Sequence, residues 1–288
     1  MNVRKPLLLL ALPVAALAQP ATQQPPQPKG PASATKSKAG PDLPKLSADQ
    51  IVAKAIAARG GADKIKAVQS QKISGKIAFG PDAEGPFFVE YKRPGKMHME
   101  FSIAGQTMVR VYNGNGSGWI INPFSDGDKG VQPMSGDELK NISDESDFDG
   151  PLVDYQAKGN KIEFDGTEDI DGKSAYRIKL TTKTGNVRFY SYDAESFLLA
   201  QWGGSRTDQG KTIYVASLFR DYRDVHGLKY AFQIDSGSPR SPVVQQITVE
   251  KIDLDLPLDE SAFLRPTGPA PAADSPAPAG TGAATKPN

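Results

Sequence analysis

The sequence predicts a mainly β chain. It reads as a long antiparallel meander that opens with a helix and is interrupted once by a short helical insertion. Two observations carry this: apolar residues recur with a period of two over most of the chain, and turn signals follow one another too closely for crossover helices. A third places the opening helix, where Ser47-Ala48-Asp49-Gln50 forms a capping box ahead of Ile51, Val52, Ala55 and Ile56 on one helical face.

Gly60-Gly61 stops this helix, because glycine tolerates positive φ. A second short helix is expected over Ala62 to Val68, with Ile65 and Val68 inward. The period then changes to two. Ile73, Ile77 and Phe79 alternate with Lys72, Ser74 and Lys76, and Met97, Met99, Phe101 and Ile103 alternate with Lys96, His98, Glu100 and Ser102. Tyr176, Ile178 and Leu180 alternate with Arg177, Lys179 and Thr181, and Ile247 and Val249 with Gln246, Thr248 and Glu250. Such alternation means strands with one dry face and one wet face. Pro94-Gly95, Gly105, Asn113-Gly114-Asn115-Gly116, Asp171-Gly172, Thr184-Gly185-Asn186, Asp208-Gln209-Gly210 and His226-Gly227 punctuate them, giving eleven or twelve strands. Residues 137–149 hold six acids, with Leu139, Ile142 and Phe148 at roughly helical spacing. This is the helical insertion, expected to lie over one face of the sheet with its acids forming a charged surface. Phe197-Leu198-Leu199-Ala200 and Trp119-Ile120-Ile121 are apolar on both sides, so part of the sheet needs a second covering.

The ends read differently. Residues 1–18 have the form of a secretory signal, with Arg4 and Lys5, the apolar run Leu7 to Val14 and an Ala16-Leu17-Ala18 cleavage site. A periplasmic location is therefore expected. Residues 19–44 hold seven prolines and residues 266–288 hold six, and neither contains an aromatic residue. Both are expected to be disordered tails, because they cannot bury enough apolar surface to offset chain entropy. Residues 45–265 form the expected folding unit.

Composition excludes several chemistries. The chain has 288 residues, no cysteine and two histidines, and a formal charge of +1. Without cysteine there is no disulfide framework, thiolate nucleophile, Cys-ligated metal or acylated lipoprotein anchor. The near-zero charge gives no general field for nucleic acid.

The motifs offer little catalysis. Gly114-x-Gly116-x-Gly118 leads into a strand rather than a helix, so it reads as a hairpin turn and not a phosphate loop. Glu145 to Gly150 resembles the start of a calcium loop, but Pro151 follows and Gln156 stands where a bidentate Glu belongs. There is no Gly-x-Ser-x-Gly elbow. His226 sits in a turn, and His98 on the wet side of its strand reads as solvated. No catalytic residue, metal ligand or cofactor site is assigned. Met97 and Met99, with Phe101 and Ile103, admit two readings: ordinary sheet core, or a lining for a flexible acyl chain, which methionine suits because it adapts its shape without needing hydrogen bonds.

Three stretches, in order, carry a resemblance. They are Ile51 to Ile65, Tyr190 to Leu199, and Phe219-Arg220-Asp221-Tyr222-Arg223 through His226-Gly227-Leu228-Lys229-Tyr230 to Ile252 and Asp259. Following a secretory leader, they resemble the outer-membrane lipoprotein-sorting family of LolA/LolB-like carriers, over nearly all of residues 47–266. The resemblance implies an incomplete antiparallel β-barrel of about eleven strands with helices as a lid over an apolar cavity. It implies a monomeric, non-catalytic periplasmic carrier of lipoprotein or lipid acyl chains, working between inner- and outer-membrane transfer proteins. On that reading the cavity lining is Phe79, Met97, Met99, Phe101, Ile103, Trp119, Tyr176, Ile178, Leu180, Leu198 and Trp202. The lid is the acidic segment with Leu139, Ile142 and Phe148, and Arg110 and Arg177 are the candidates for a gating arginine. Two other functions remain open: an envelope-sensing module on the same fold, and an envelope-lipid hydrolase using His226.

Overall fold

Ser47 sets where the fold begins. In the computed structural model its hydroxyl accepts from the Gln50 amide at 3.2 Å, and the Gln50 side chain accepts from the Ser47 amide at 2.9 Å. This closed capping box starts α1 (Ala48–Arg59), which buries Ile51, Val52 and Ala55. Gly60 ends it at φ 128°, where a Cβ would collide with the Gly227 carbonyl and Leu228. Glycine is thus required both for the helix stop and for the close approach of a distant turn. A short α2 (Ala62–Ala67) follows, with Ile65 and Val68 buried as expected. The structure describes residues 42–267, except 126, 184, 209, 210, 239 and 240. The expected leader and almost all of the two tails lie outside those residues.

Thirteen antiparallel strands form one open sheet: β1 (Ser70–Ala78), β2 (Glu84–Lys92), β3 (Lys96–Ile103), β4 (Gln106–Asn113), β5 (Gly118–Ile121), β6 (Val131–Pro133), β7 (Lys161–Ile170), β8 (Lys173–Thr181), β9 (Val187–Asp193), β10 (Leu199–Asp208), β11 (Lys211–Val225), β12 (Leu228–Ser238) and β13 (Ser241–Leu254). The spatial order is β6-β5-β4-β3-β2-β1-β13-β12-β11-β10-β9-β8-β7. The chain therefore starts at the middle of the sheet, steps outward to one edge, crosses to the opposite edge and steps back. The crossing carries α3 (Gly136–Glu145) and an irregular segment over 146–160. The sequence gives fewer strands than the structure because β6 is three residues ending in proline, too short to show alternation.

The hairpins form where the turn signals fall. Ala104-Gly105, Asp171-Gly172 and His226-Gly227 all have positive φ, and each joins strands that pair directly across two residues. Two consecutive positive φ values give the turn whose twist matches that of the flanking strands. Asn113 builds the next turn, its side chain accepting from the Asn115 and Ser117 amides, so the glycine-rich stretch is indeed a hairpin.

Two core clusters cover one face of the sheet. The first, on β1–β4 and β12–β13, holds Phe79, Met97, Met99, Phe101, Ile103 and Ile247, and is covered by Leu139 and Ile142 of α3. The second joins α1 to Tyr176, Ile178, Leu180, Tyr190 and Tyr192.

Candidate functional site

Between the two clusters is a cavity of about 290 Å³. Its roof is one face of α1: Val52, Ala55, Ile56 and Arg59 stand at spacings of three, four and seven. That spacing places them in a single stripe along the helix. Residues Asp149 to Val153 complete the roof. The floor follows the two-residue period of the strands, with Phe87, Val89 and Tyr91 from β2 and Tyr190 and Tyr192 from β9. On β13 the lining residues are Ile247, Val249 and Ile252, where the last step is three. A bulge explains it, since Ser74 faces Lys251 while Gly75 faces Val249, leaving Glu250 as the extra residue. The bulge pushes the Thr248 carbonyl to where a Cβ at position 75 would stand, so that position accepts only glycine.

The roof is fastened by arginines. The Arg59 guanidinium donates to the Asp149 carbonyl at 2.6 Å and the Phe148 carbonyl at 3.2 Å. Arg93 binds the Asp149 carboxylate through two nitrogens, at 2.6 and 3.0 Å, and donates to the Val68 and Ile65 carbonyls. Lys158 holds Asp147 at 2.6 Å. Burial nevertheless raises the Asp147 carboxyl above its usual range, with Lys158 opposing the rise. Inside, Tyr222 donates to the Leu199 carbonyl at 2.9 Å and Tyr230 to the Gln71 side-chain oxygen at 3.0 Å. Burial pushes the phenols of Tyr91, Tyr190, Tyr192, Tyr222 and Tyr230 upward, so all five stay protonated at neutral pH.

Of the eleven residues expected to line a cavity, Leu198 lines this one. Phe79, Met97, Met99, Phe101 and Ile103 pack in the first cluster, against Met108, Phe124 and α3. Tyr176, Ile178 and Leu180 pack beneath α1, with Trp202 partly buried beside them. Trp119 packs with Val109, Val111 and Ile121, alternate to the residues of β4 that face the first cluster. Leu139 and Ile142 rest on the first cluster, and Phe148 sits where the roof segment begins, under the Arg93 guanidinium at 4.7 Å. Arg110 is 1% exposed and pairs with Glu145 at the end of α3, 2.7 Å away, whereas Arg177 pairs with Asp165 and Glu168.

Two expectations need correction. His98 is not solvated: its side chain is 13% exposed, with Glu100 at 2.9 Å and Glu90 at 3.4 Å. Nor is the acidic segment a free charged surface. Asp144 binds Arg188, Glu145 binds Arg110, Asp147 binds Lys158 and Asp149 binds Arg93. His226 forms part of a hairpin turn at φ 53°. Sequence reasoning did not find Arg59, Tyr222, Tyr230 or Ile234 as lining residues. The stripe on α1 was visible, but which stretch of sheet lay beneath it was not.

Among the described residues no helix is long and apolar enough to cross a membrane. No family model and no curated protein matches the chain. Solved structures do. A DUF1329 family protein from Desulfovibrio piger superposes with a TM-score of 0.51 at 12% identity, covering 75% of this chain and 97% of that one. The LolA superfamily protein NE2245 from Nitrosomonas europaea gives 0.49 at 14% identity, with 76% and 98% covered. A putative outer membrane lipoprotein-sorting protein domain from Vibrio parahaemolyticus gives 0.47 at 10% identity, with 75% and 95% covered. The structural neighbours thus include LolA-superfamily and lipoprotein-sorting-domain proteins. At these identities the likeness is one of fold.

Proposed function

We propose that this protein is a periplasmic, non-catalytic carrier that holds an acyl chain in the cavity between α1 and the sheet. The observation that carries this reading is an apolar cleft of about 290 Å³ beneath α1, partly open to solvent, which the protein's own side chains do not close to the density of an interior. It lies at the lower end of the ~300–1,000 Å³ usual for ligand sites. If a methylene takes about the volume of a water molecule in the liquid, ~30 Å³, the space holds roughly ten of them. At ~0.8 kcal/mol per buried methylene, about 8 kcal/mol favours occupancy before the losses of association are subtracted. Subtracting those losses leaves a modest net affinity, which suits a shuttle that must also let go. The secretory leader and the sequence resemblance to lipoprotein-sorting carriers support the same reading, with lipoproteins or other lipids as cargo and membrane transfer proteins as partners.

Native mass spectrometry of protein purified without detergent tests it, and an adduct of lipid mass is expected. Adding dodecanoate to delipidated protein at a hundredfold excess over Kd should stabilise it by about 2.7 kcal/mol. The thermal midpoint should then rise by roughly 5–10 °C. Ala55→Phe, which fills the space from the roof while keeping the helix, should abolish both effects and leave the empty protein as stable as before. Persistence of the adduct in this variant would place the lipid elsewhere.

A further inference from the structure

The cavity wall is of two kinds, and the difference points to the kind of molecule it takes. Most of its wall is hydrocarbon, but Arg59 from the end of α1 and Tyr222, Lys229 and Tyr230 from β11–β12 also line it. Arg59 hydrogen-bonds two backbone carbonyls and the Tyr230 hydroxyl, all neutral partners. The nearby Asp149 carboxylate is bound through both oxygens by Arg93, and Arg59 meets its residue at the backbone carbonyl. Lys229 reaches Asp224 only at 3.4 Å, and both side chains are more than 40% exposed. The Arg59 charge also holds back the rise that burial imposes on the Tyr192, Tyr222 and Tyr230 phenols, so it acts within electrostatic reach of all three. The guanidinium carbon lies 6.0 Å from the centre of the Tyr230 ring. A partly buried guanidinium that lines an apolar cavity, and whose hydrogen bonds among the described residues go to neutral acceptors, can seat an anion.

Building on the carrier reading, we propose that the cavity selects a single-chain amphiphile with an anionic head, carboxylate or phosphate, seated at Arg59 with its chain running between the two core clusters. The volume between the helix and the sheet matches one chain of about ten methylenes. The head would also pull on the roof: an anion that recruits Arg59 competes with the Phe148 and Asp149 carbonyls, so binding and roof fastening draw on the same guanidinium.

Calorimetric titration of the delipidated full chain with twelve-carbon ligands at submicellar concentration separates head from tail. Dodecanoate, dodecyl phosphate, dodecanol and dodecyltrimethylammonium share a chain and differ in charge. At least one anionic ligand should bind ten times or more tighter than dodecanol, with the ammonium weakest. Whichever anion is tighter identifies the head. Arg59→Gln should remove the preference while dodecanol affinity stays, and Arg59→Lys should keep most of it, which guards against a variant that merely loosens the roof. Added salt should narrow the gap in the wild type. Equal binding of anion and alcohol overturns the head-group inference and leaves the carrier reading standing. Failure of all four ligands to bind overturns both.

Discussion

His98 illustrates how a single residue on the outer side of the sheet acquires a role its neighbours decide. It stands on β3 between Glu90 on the adjacent strand and Glu100 on its own, with the edge of the Phe88 ring against it at 5.2 Å. Lys72 shares the group through Glu90 at 2.7 Å. Burial works against the imidazolium, but the hydrogen bonds to Glu100 and Glu90 outweigh it and raise the His98 pKa above 6.5. Burial likewise opposes the Glu90 charge, and His98 and Lys72 together bring its pKa below 4.5. The signs are opposite. The His98 contribution is complete below its unfolded value and is lost as pH rises through the folded one. The Glu90 contribution is present above 4.5 and fades only as pH falls through its lowered value. Between pH 5.5 and 9 the histidine alone changes. The thermal midpoint of His98→Asn should therefore fall furthest below wild type at pH 5.5, with the gap closing towards pH 9. A gap independent of pH would mean that the imidazole acts by packing.

At the scale of elements, α3 shows what local pattern can and cannot reveal. Its position and its inward residues follow from spacing, because Leu139 and Ile142 sit on one helical face and both pack against the first cluster. The two-residue turns were equally legible, since their signal lies within the turn. The fate of the acids was not. Asp144 meets Arg188 across 44 residues, Glu145 meets Arg110 across 35 and Asp149 meets Arg93 across 56. A run of acids looks the same whether solvated or paired until the chain is folded. The cavity was hidden for the same reason. Alternation identifies the dry face of each strand, but where that face is packed and where it is left open depends on how the sheet curves beneath α1. The pairings also make α3 a bridge, fixed to β4 through Glu145 and to β9 through Asp144. Glu145→Gln removes the carboxylate facing a fully buried arginine and should cost about 3–5 kcal/mol. Asp144→Asn breaks a more exposed pair and should cost no more than about 1 kcal/mol. Urea unfolding of the two variants side by side measures this ratio. Negligible losses in both would mean that α3 is held by its apolar face alone.

The whole molecule is a sheet wider than its own core can fill. One continuous ladder of hydrogen bonds runs from β6 to β7, and above it a cluster under α3 and a cluster under α1 flank the cavity, with a smaller group of Ile65, Val68, Val153 and Leu228 touching both through Ile56 and Phe148. Backbone pairing and this small group couple the halves, and beside them the cavity leaves apolar wall that a chain of hydrocarbon would cover. A bound acyl chain should therefore act as missing core, raising cooperativity as well as stability. The protein carries its own reporters for this. It has two tryptophans, Trp119 on β5, across the sheet from the first cluster, and Trp202 on β10 beside the second. Single-tryptophan variants, Trp202→Phe and Trp119→Phe, allow the fluorescence of each half to be followed separately through urea. In the empty protein the two midpoints should differ, because probes report one transition only when unfolding is two-state. Saturation with dodecanoate should move both upward and bring them together, as the ligand ties the stability of each half to the other. Coincident midpoints in the empty protein would show that the ladder and the small group suffice to unite the halves, and that the cavity is a gap in packing without being a gap in cooperativity.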